Sequence, residues 1–196
     1  MKVEEIKLYH TLLTEEQLEG IITAIADCQQ IKLKKIDLRD NNLSSICAEI
    51  LATSTVKLEN ISLENTELSP DQIIGILTRI TDGVMDEDIK LKHLEIGGND
   101  LSKVPAELLV QSLLGLEDVS LKNAKLSADQ MRTMFTTISE RKDMKLSSLD
   151  LRENDISSVS ESLIKAVKVR VSWLYLENNI SPEYHRIVYP RIGQRQ

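Results

Sequence analysis

The sequence predicts an α/β solenoid, a curved horseshoe with a parallel β-sheet on its concave face and helices on its convex face. The first observation behind this prediction is that one short aliphatic phrase recurs seven times along 196 residues. The second is that the copies are followed by apolar residues at helical spacing. The third is composition, because a chain that is 41% hydrophobic but only 3% aromatic must fold around an aliphatic core.

The repeated phrase is clearest between Leu33 and Leu43. It reads apolar, two variable residues, apolar, one variable, apolar, two variable, small polar, one variable, apolar. The seven copies open at Val3, Leu33, Leu58, Leu91, Leu116, Leu146 and Val171. Successive openings are 30, 25, 33, 25, 30 and 25 residues apart, so long and short units alternate and the pair is the repeating element.

The middle of the phrase alternates apolar and variable residues, which predicts a short strand with one buried face. Strands that are joined through helices lie parallel to one another. No single unit can bury its own apolar face, so neighbouring units must stack. Because a helix is wider than a strand, the stack curves with its strands on the inside.

The long units carry a helix-start signal that the short units lack. Thr14, Ser69 and Ser127 are each followed three residues later by Gln, which is the spacing of a capping box. Pro70 stands at the first helical position, where its missing N–H costs nothing. The short units predict a helix of about two turns or less.

The small polar position marks the turn that leaves each strand. It is asparagine in four units, at Asn41, Asn99, Asn154 and Asn179. An inward amide has two donors and an acceptor, so we expect it to satisfy turn backbone groups of adjacent units.

The strand phrase, the outer helices and the alternation of unit length resemble leucine-rich repeats of the ribonuclease-inhibitor subclass. The same subclass forms the sensor of NOD-like receptors and occurs in tropomodulin and in the Ran GTPase-activating protein. The resemblance covers the chain from about Val3 to Asn179. It implies a repeat array over residues 1–180, with about seven units in alternating long and short pairs, and a C-terminal cap or tail over residues 181–196.

The chain also departs from these relatives. It has no nucleotide-binding domain and no phosphate-binding glycine loop, so it is expected to be either a fragment or a free-standing array. Its 25-residue units are shorter than those of the ribonuclease inhibitor, and few aromatic residues face inward. The resemblance implies a non-enzymatic module that binds a protein partner, and the alternatives are a GTPase activator of the Ran type, a receptor sensor segment or a scaffold.

Charge and cysteine content narrow the class of partner and the compartment. A net charge of −7 argues against non-specific nucleic-acid binding, which needs a basic face. No apolar run is long enough to cross a bilayer, and charges at the start of the chain leave no signal peptide. The two cysteines, Cys28 and Cys47, are too few for a disulfide framework, so we expect a reducing, cytoplasmic compartment with both thiols buried. Glycosylation sequons at Asn60 and Asn179 are loose enough to occur by chance.

No motif for catalysis, a metal or a cofactor is present in the sequence. The histidines His10, His93 and His185 lack metal-ligand spacing. His93 and Glu95 lie two apart on one strand and are expected to form a solvated ion pair. The charged stretch 82–88 lacks the ligand series of a calcium loop and is expected to be a solvated convex loop.

The candidate binding surface consists of the variable strand positions, which the resemblance places on the concave face. These positions carry both signs of charge, which suits a folded protein partner. The candidate partner-binding residues are Tyr9, Lys35, Asp37, Arg39, Glu64, His93, Glu95, Asp118, Lys122, Asp150, Arg152, Trp173, Tyr175 and Glu177.

Two features of this surface admit two interpretations each. Trp173 and Tyr175 point the same way on the last strand, where they either anchor a partner or cap the end of the stack against Tyr184, His185 and Tyr189. The Gly97–Gly98 pair either permits a close backbone approach or forms a bulge before the turn, and we favour the bulge. The unpaired edge of the first strand allows an edge-mediated dimer as well as a monomer.

Overall fold

A computed structural model describes residues 3–11, 13–83 and 90–176. These residues form one parallel sheet of seven strands in the order of the sequence. The strands are β1 (Glu5–Lys7), β2 (Lys35–Asp37), β3 (Asn60–Ser62), β4 (His93–Glu95), β5 (Asp118–Ser120), β6 (Ser148–Asp150) and β7 (Trp173–Tyr175). The predicted fold class, an α/β solenoid with its strands on the inner face, is confirmed.

Six helices connect the strands of the described ranges. They are α1 (Glu15–Asp27), α2 (Ala48–Val56), α3 (Pro70–Asp82), α4 (Ala106–Leu113), α5 (Ala128–Glu140) and α6 (Glu161–Lys168). Helices of 13 residues alternate with helices of eight or nine residues. Each long helix begins at a capping box, as predicted from Thr14, Ser69 and Ser127. The extra turn of each long helix takes up the additional residues of the long units.

The strands pair in a constant register, which aligns equivalent positions of successive units. Leu38, the third apolar residue of its strand phrase, is 1% exposed and begins a column of buried aliphatic side chains along the stack. The column continues through Leu63, Ile96, Leu121 and Leu151, each at most 1% exposed. This column confirms that the units stack into one continuous aliphatic core.

Buried asparagines tie each short unit to the long unit before it. The amide nitrogen of Asn99 donates to the carbonyl of Leu63 in the preceding unit at 2.8 Å and to Ile96 in its own unit at 2.9 Å. Its side-chain oxygen accepts from the backbone N–H of Leu68 at 3.0 Å. Asn41 and Asn154 donate in the same way, so the prediction for these positions is confirmed, while Asn179 lies outside the described residues.

A second ladder was not predicted from the sequence. The capping-box residue Gln130 is 2% exposed, and its amide nitrogen donates to the carbonyls of Leu101 at 2.8 Å and Val104 at 2.7 Å in the preceding short unit. Gln72 makes the equivalent pair of bonds to the unit before it. A capping box accepts Glu or Gln, and the signal that could have revealed this ladder is that all three boxes use Gln.

Two predictions about small residues are wrong. Cys28 and Cys47 are exposed, because they occupy the C-cap of α1 and the N-cap of α2 and do not lie on the apolar stripe of a helix. The Gly97–Gly98 pair forms no bulge, because the hydrogen-bond ladder keeps its step of two residues from Ile96 to Gly98. A Cβ on Gly97 would lie 2.4 Å from the carbonyl oxygen of Lys122, so close backbone approach is the correct interpretation.

Several of the remaining sequence predictions concern residues outside the described ranges. Glu177, the sequon at Asn179 and the segment 181–196 lie outside them, as does most of the charged stretch 82–88. Asn60, the other sequon asparagine, is half-buried in the strand β3. Within the described ranges, every helix is too short or too polar to span a bilayer.

Candidate protein-interaction surface

The concave face is built from the variable residues of the seven strands. In β2 the central Ile36 is 3% exposed and faces the core, so its neighbours Lys35 and Asp37 face the opposite side. The constant register sets equivalent residues of neighbouring strands side by side. The predicted candidate positions therefore form a single continuous surface across the described strands.

Two arginines on this surface are held rigidly by aspartates. Arg39 donates to both carboxylate oxygens of Asp37, with distances of 2.9 Å from Nε and 2.6 Å from Nη2. Arg152 donates to Asp150 in the same geometry, with 2.9 Å from Nε to Oδ1 and 2.5 Å from Nη2 to Oδ2. Burial alone would raise the pKa of Asp37, but the hydrogen bonds and charge of Arg39 outweigh it and hold that pKa below its ordinary value.

Each of these arginines also stacks on a tyrosine at an end of the surface. The guanidinium carbon of Arg39 lies 5.8 Å from the ring centroid of Tyr9, and that of Arg152 lies 5.6 Å from the ring of Tyr175. Tyr9 is 49% exposed and Tyr175 is 37% exposed, while the neighbouring Trp173 is 63% exposed. The concave face thus presents accessible aromatic rings at both ends of the described array.

At the centre, His93 pairs across strands. Its Nδ1 lies 2.5 Å from Oδ2 of Asp118, so the predicted ion pair between His93 and Glu95 is wrong. The reason is register, because β4 and β5 set His93 directly opposite Asp118, whereas Glu95 lies two residues further along the same strand. Lys122 is also paired, with its Nζ 3.3 Å from Oε1 of Glu153.

Among the described residues, a larger and a smaller cavity open on this face. The larger, of about 510 Å³, lies over the central and C-terminal strands and gathers most of the candidate residues. Its candidate lining residues are Arg39, Glu64, His93, Glu95, Asp118, Lys122, Asp150, Arg152 and Tyr175. The smaller, of about 300 Å³, lies over β1–β4 and includes Lys35 and Asp37. Tyr9 and Trp173 line neither cavity, and Glu177 lies outside the described residues.

Some lining residues were not in the candidate set. Asn60, Ser120 and Ser148 line the larger cavity, and Ser62 lines the smaller one. They occupy the same strand positions as the charged candidates, so their place in the repeat was the signal that could have included them. They are small and polar, and they leave room above the sheet that longer side chains would fill.

The carboxylates Glu64 and Glu95 differ from the other charges at the centre. Within the described ranges, neither carboxylate makes a hydrogen bond or a salt bridge. The pKa of Glu64 is raised by burial; Lys122 opposes the rise, and the nearby charge of Glu95 adds to it. The centre of the surface therefore holds two carboxylates with no hydrogen-bonded or salt-bridged cation among the described residues, although the charges of Lys122 and Arg39 act on Glu64.

The described residues bring together no metal site. Among them, no group of three or more histidine, cysteine, aspartate or glutamate side chains has the geometry to hold a metal ion. The arrangement is suited to recognition, because its arginines are fixed in place and its aromatic rings are accessible.

The fold and this surface define the class as an α/β leucine-rich repeat solenoid. The Leucine Rich Repeat family model matches residues 32–53, which span the second strand phrase and the start of α2. No curated protein sequence matches the chain. Among solved structures, the chain is similar to the leucine-rich repeat-containing protein LegL7 from Legionella pneumophila, with 17% sequence identity and a TM-score of 0.49. That alignment covers 89% of this chain and 64% of LegL7, so this chain spans less than two thirds of its length.

Proposed function

We propose that the chain is a non-enzymatic protein-interaction module that binds a protein partner through its concave face. The observation that carries this proposal is the pair of Asp–Arg–Tyr groups at the two ends of the surface. In each group a carboxylate fixes an arginine, and the arginine in turn lies over an exposed tyrosine. Tyrosine, tryptophan and arginine are the residue types that most often dominate protein interfaces, and residues that are already ordered lose less entropy on binding.

The charges of the face support a protein partner over nucleic acid. Its arginines are neutralised by aspartates of the same strands, so few cations are left to replace phosphate counterions. The mixed signs favour specificity and orientation of a folded partner. A membrane partner has no support in the described part of this face, because the exposed aromatic residues there stand at separate ends of the array.

The finer proposals concern cellular role. The resemblance supports a ligand-sensing segment of an innate-immune NOD-like receptor located in the cytoplasm, and two exposed free cysteines suit such a reducing compartment. A GTPase activator of the Ran type is the alternative, and a turnover assay with small GTPases tests it. The oligomeric proposal is a monomer or a dimer through the free edge of β1, which light scattering distinguishes.

Affinity capture with matched variants tests the proposed function. The full chain is immobilised, and proteins retained from a lysate of its source cells are purified and rebound individually. We expect at least one purified protein to bind the wild-type chain, and to lose binding to a W173A/Y175A variant. A variant changed at Glu19 and Glu140, which are exposed on α1 and α5, should bind as the wild type does. Equal loss with both variants contradicts binding through the concave face.

A further inference from the structure

The strands β3 and β4 form a distinct central part of the concave face. Glu64 and Glu95 line the larger cavity together, and Glu95 also lines the smaller one beside Ser62. Ser62 and Glu95 are direct partners in the register of β3 and β4. Glu64 follows Ser62 by two residues, so its side chain emerges on the same side of the sheet.

The residue beside Glu64 in the next unit is a glycine. The register that joins β3 to β4 continues beyond the strands, because the N–H of Asn65 donates to the carbonyl of Gly97 at 3.0 Å. Gly97 therefore lies beside Glu64. The equivalent residues of the two flanking units, Glu64 and Lys122, have long side chains. A Cβ on Gly97 would lie 2.4 Å from the carbonyl oxygen of Lys122, so the backbone of the next unit fills that place and no side chain stands between Glu64 and Lys122.

The charged side chains that line the larger cavity differ in their partners. Each cation is held by a carboxylate: Arg39 by Asp37, Lys122 by Glu153 and Arg152 by Asp150. In the described part of the chain, Glu64 and Glu95 have no such partner. The carboxylate oxygens of Glu64 and Glu95 are thus available as acceptors to a donor that enters the cavity.

An unsatisfied hydroxyl independently points to a ligand at this place. Ser62 is only 8% exposed, and its Oγ makes no hydrogen bond. Burying a hydroxyl without a partner is unfavourable, and native proteins seldom retain such groups. A donor entering between Ser62 and Glu95 would satisfy the hydroxyl oxygen and a carboxylate together.

We infer that this central site receives a cationic side chain, arginine or lysine, from a protein partner that binds the concave face. The site consists of Ser62, Glu64 and Glu95. A guanidinium or ammonium group carries only donors, which matches two carboxylates and a hydroxyl oxygen. The inference rests on the proposed function and adds to it the chemistry of the partner.

The test uses two fluorescent peptides that differ in charge alone. One carries arginines separated by Gly-Ser, and the other carries citrulline, the uncharged isostere, at the same places. Fluorescence anisotropy measures the binding of each peptide to the full-length chain. We expect the arginine peptide to bind and the citrulline peptide to bind at least about tenfold more weakly, with the difference shrinking at high salt.

Three variants separate a built site from general attraction to an acidic chain. E64Q/E95Q should weaken binding of the arginine peptide about tenfold, whereas E19Q/E140Q, with the same change in net charge on the outer helices, should weaken it less than twofold. S62A should weaken binding and yet raise the melting temperature of the free chain, since it removes an unsatisfied hydroxyl. A hydroxyl with a purely structural role would leave binding unchanged.

The outcomes separate this inference from the proposed function. Equal loss of peptide binding in E64Q/E95Q and E19Q/E140Q, or no binding of the arginine peptide, overturns the cationic site. If a captured partner still requires Trp173 and Tyr175 in that case, the concave face remains the interaction surface and only the central site is withdrawn. If no partner depends on the concave face, both proposals fall.

Discussion

The guanidinium carbon of Arg152 lies 5.6 Å from the ring centroid of Tyr175, and this contact joins the last two described strands of the array. Asp150 holds the same guanidinium from the other side through paired hydrogen bonds. The arrangement recurs near the first strand with Arg39, Tyr9 and Asp37. Two equivalent anchoring groups thus flank a central region in which Glu64 and Glu95 make no hydrogen bond or salt bridge within the described ranges.

The exposed aromatic residues of β7 are expected to contribute to binding more than to stability. Replacing Trp173 or Tyr175 by alanine should weaken binding of the captured partner by about 2 kcal/mol, because such rings dominate protein interfaces. Isothermal titration calorimetry measures this loss. Differential scanning calorimetry of the same variants should show an unchanged melting temperature. A lower melting temperature with intact binding would establish that these residues cap the stack.

The aliphatic column should be sensitive to loss of volume. Leu151 is completely buried, so Leu151→Ala should lower the free energy of unfolding by about 2–5 kcal/mol through the cavity it leaves. Urea denaturation followed by circular dichroism measures this change. Val169→Ala is the matched control, since Val169 is 86% exposed and its truncation should alter stability by less than about 0.5 kcal/mol. Comparable effects of the two substitutions would contradict the stacked core.

The hydrogen bonds that the capping-box glutamines make to the preceding unit predict that a Gln→Glu substitution affects stability differently at Gln130 and at Gln17. Gln130→Glu replaces a buried amide donor with an oxygen facing the carbonyls of Leu101 and Val104, and should cost about 2 kcal/mol or more. Gln17→Glu should be nearly neutral, because the Gln17 side chain is exposed and its oxygen only accepts a bond from the backbone N–H of Thr14, which a carboxylate can also accept. Chemical denaturation of both variants tests this contrast. If Gln130→Glu proves harmless, the ladder does not join the units.

The carboxyl of Glu64 should impose a pH-dependent cost on the free chain. Its pKa in the folded state is raised above 4.5 by burial, with Lys122 opposing and Glu95 reinforcing the shift. In the folded state the Glu64 carboxyl binds its proton more tightly than it does in the unfolded chain. The free energy of unfolding therefore falls as the pH rises from the unfolded-state pKa of this carboxyl through its folded-state pKa. Glu64→Gln should therefore raise the melting temperature at neutral pH, and the gain should vanish below the unfolded pKa.

Thermal melts over a pH series test this prediction, with Glu19→Gln as the control. Glu19 is exposed on α1, so its replacement should shift the melting temperature little at any pH. A melting temperature for Glu64→Gln below that of the wild type at neutral pH would show that Glu64 stabilises the free chain. Its assignment to partner binding would then lose this support.

The sequence predicted the features that are set by periodicity. The strand phrase fixes which residues alternate between core and concave face, so the column from Leu38 to Leu151 and the caps at Thr14, Ser69 and Ser127 follow directly. The features that the sequence did not predict depend on contacts between repeat units. The bonds of Gln130 to Leu101 and Val104 join residues more than 25 positions apart, which no local pattern encodes.

The charged pairs of the surface illustrate the same limit. Spacing along one strand predicted that His93 pairs with Glu95. A residue on the neighbouring strand is as close as the residue two positions along the same strand, and the register sets Asp118 beside His93. The exposure of Cys28 and Cys47 was not predicted, because cysteine was expected to be buried from its residue type alone and the position of each cysteine at a helix end was not considered. The unpartnered Ser62 could be recognised only once its surroundings were known.

Hydroxyl-radical footprinting of the chain, free and bound to its captured partner, tests the central proposal most directly. The concave face offers reactive side chains at Tyr9, His93, Trp173 and Tyr175, while the exposed Cys28 and Cys47 report on helix ends away from it. We predict that the partner lowers modification of the aromatic set several-fold and leaves both cysteines as reactive as before. Protection of the cysteines with unchanged modification at Tyr9, Trp173 and Tyr175 would contradict recognition through the concave face.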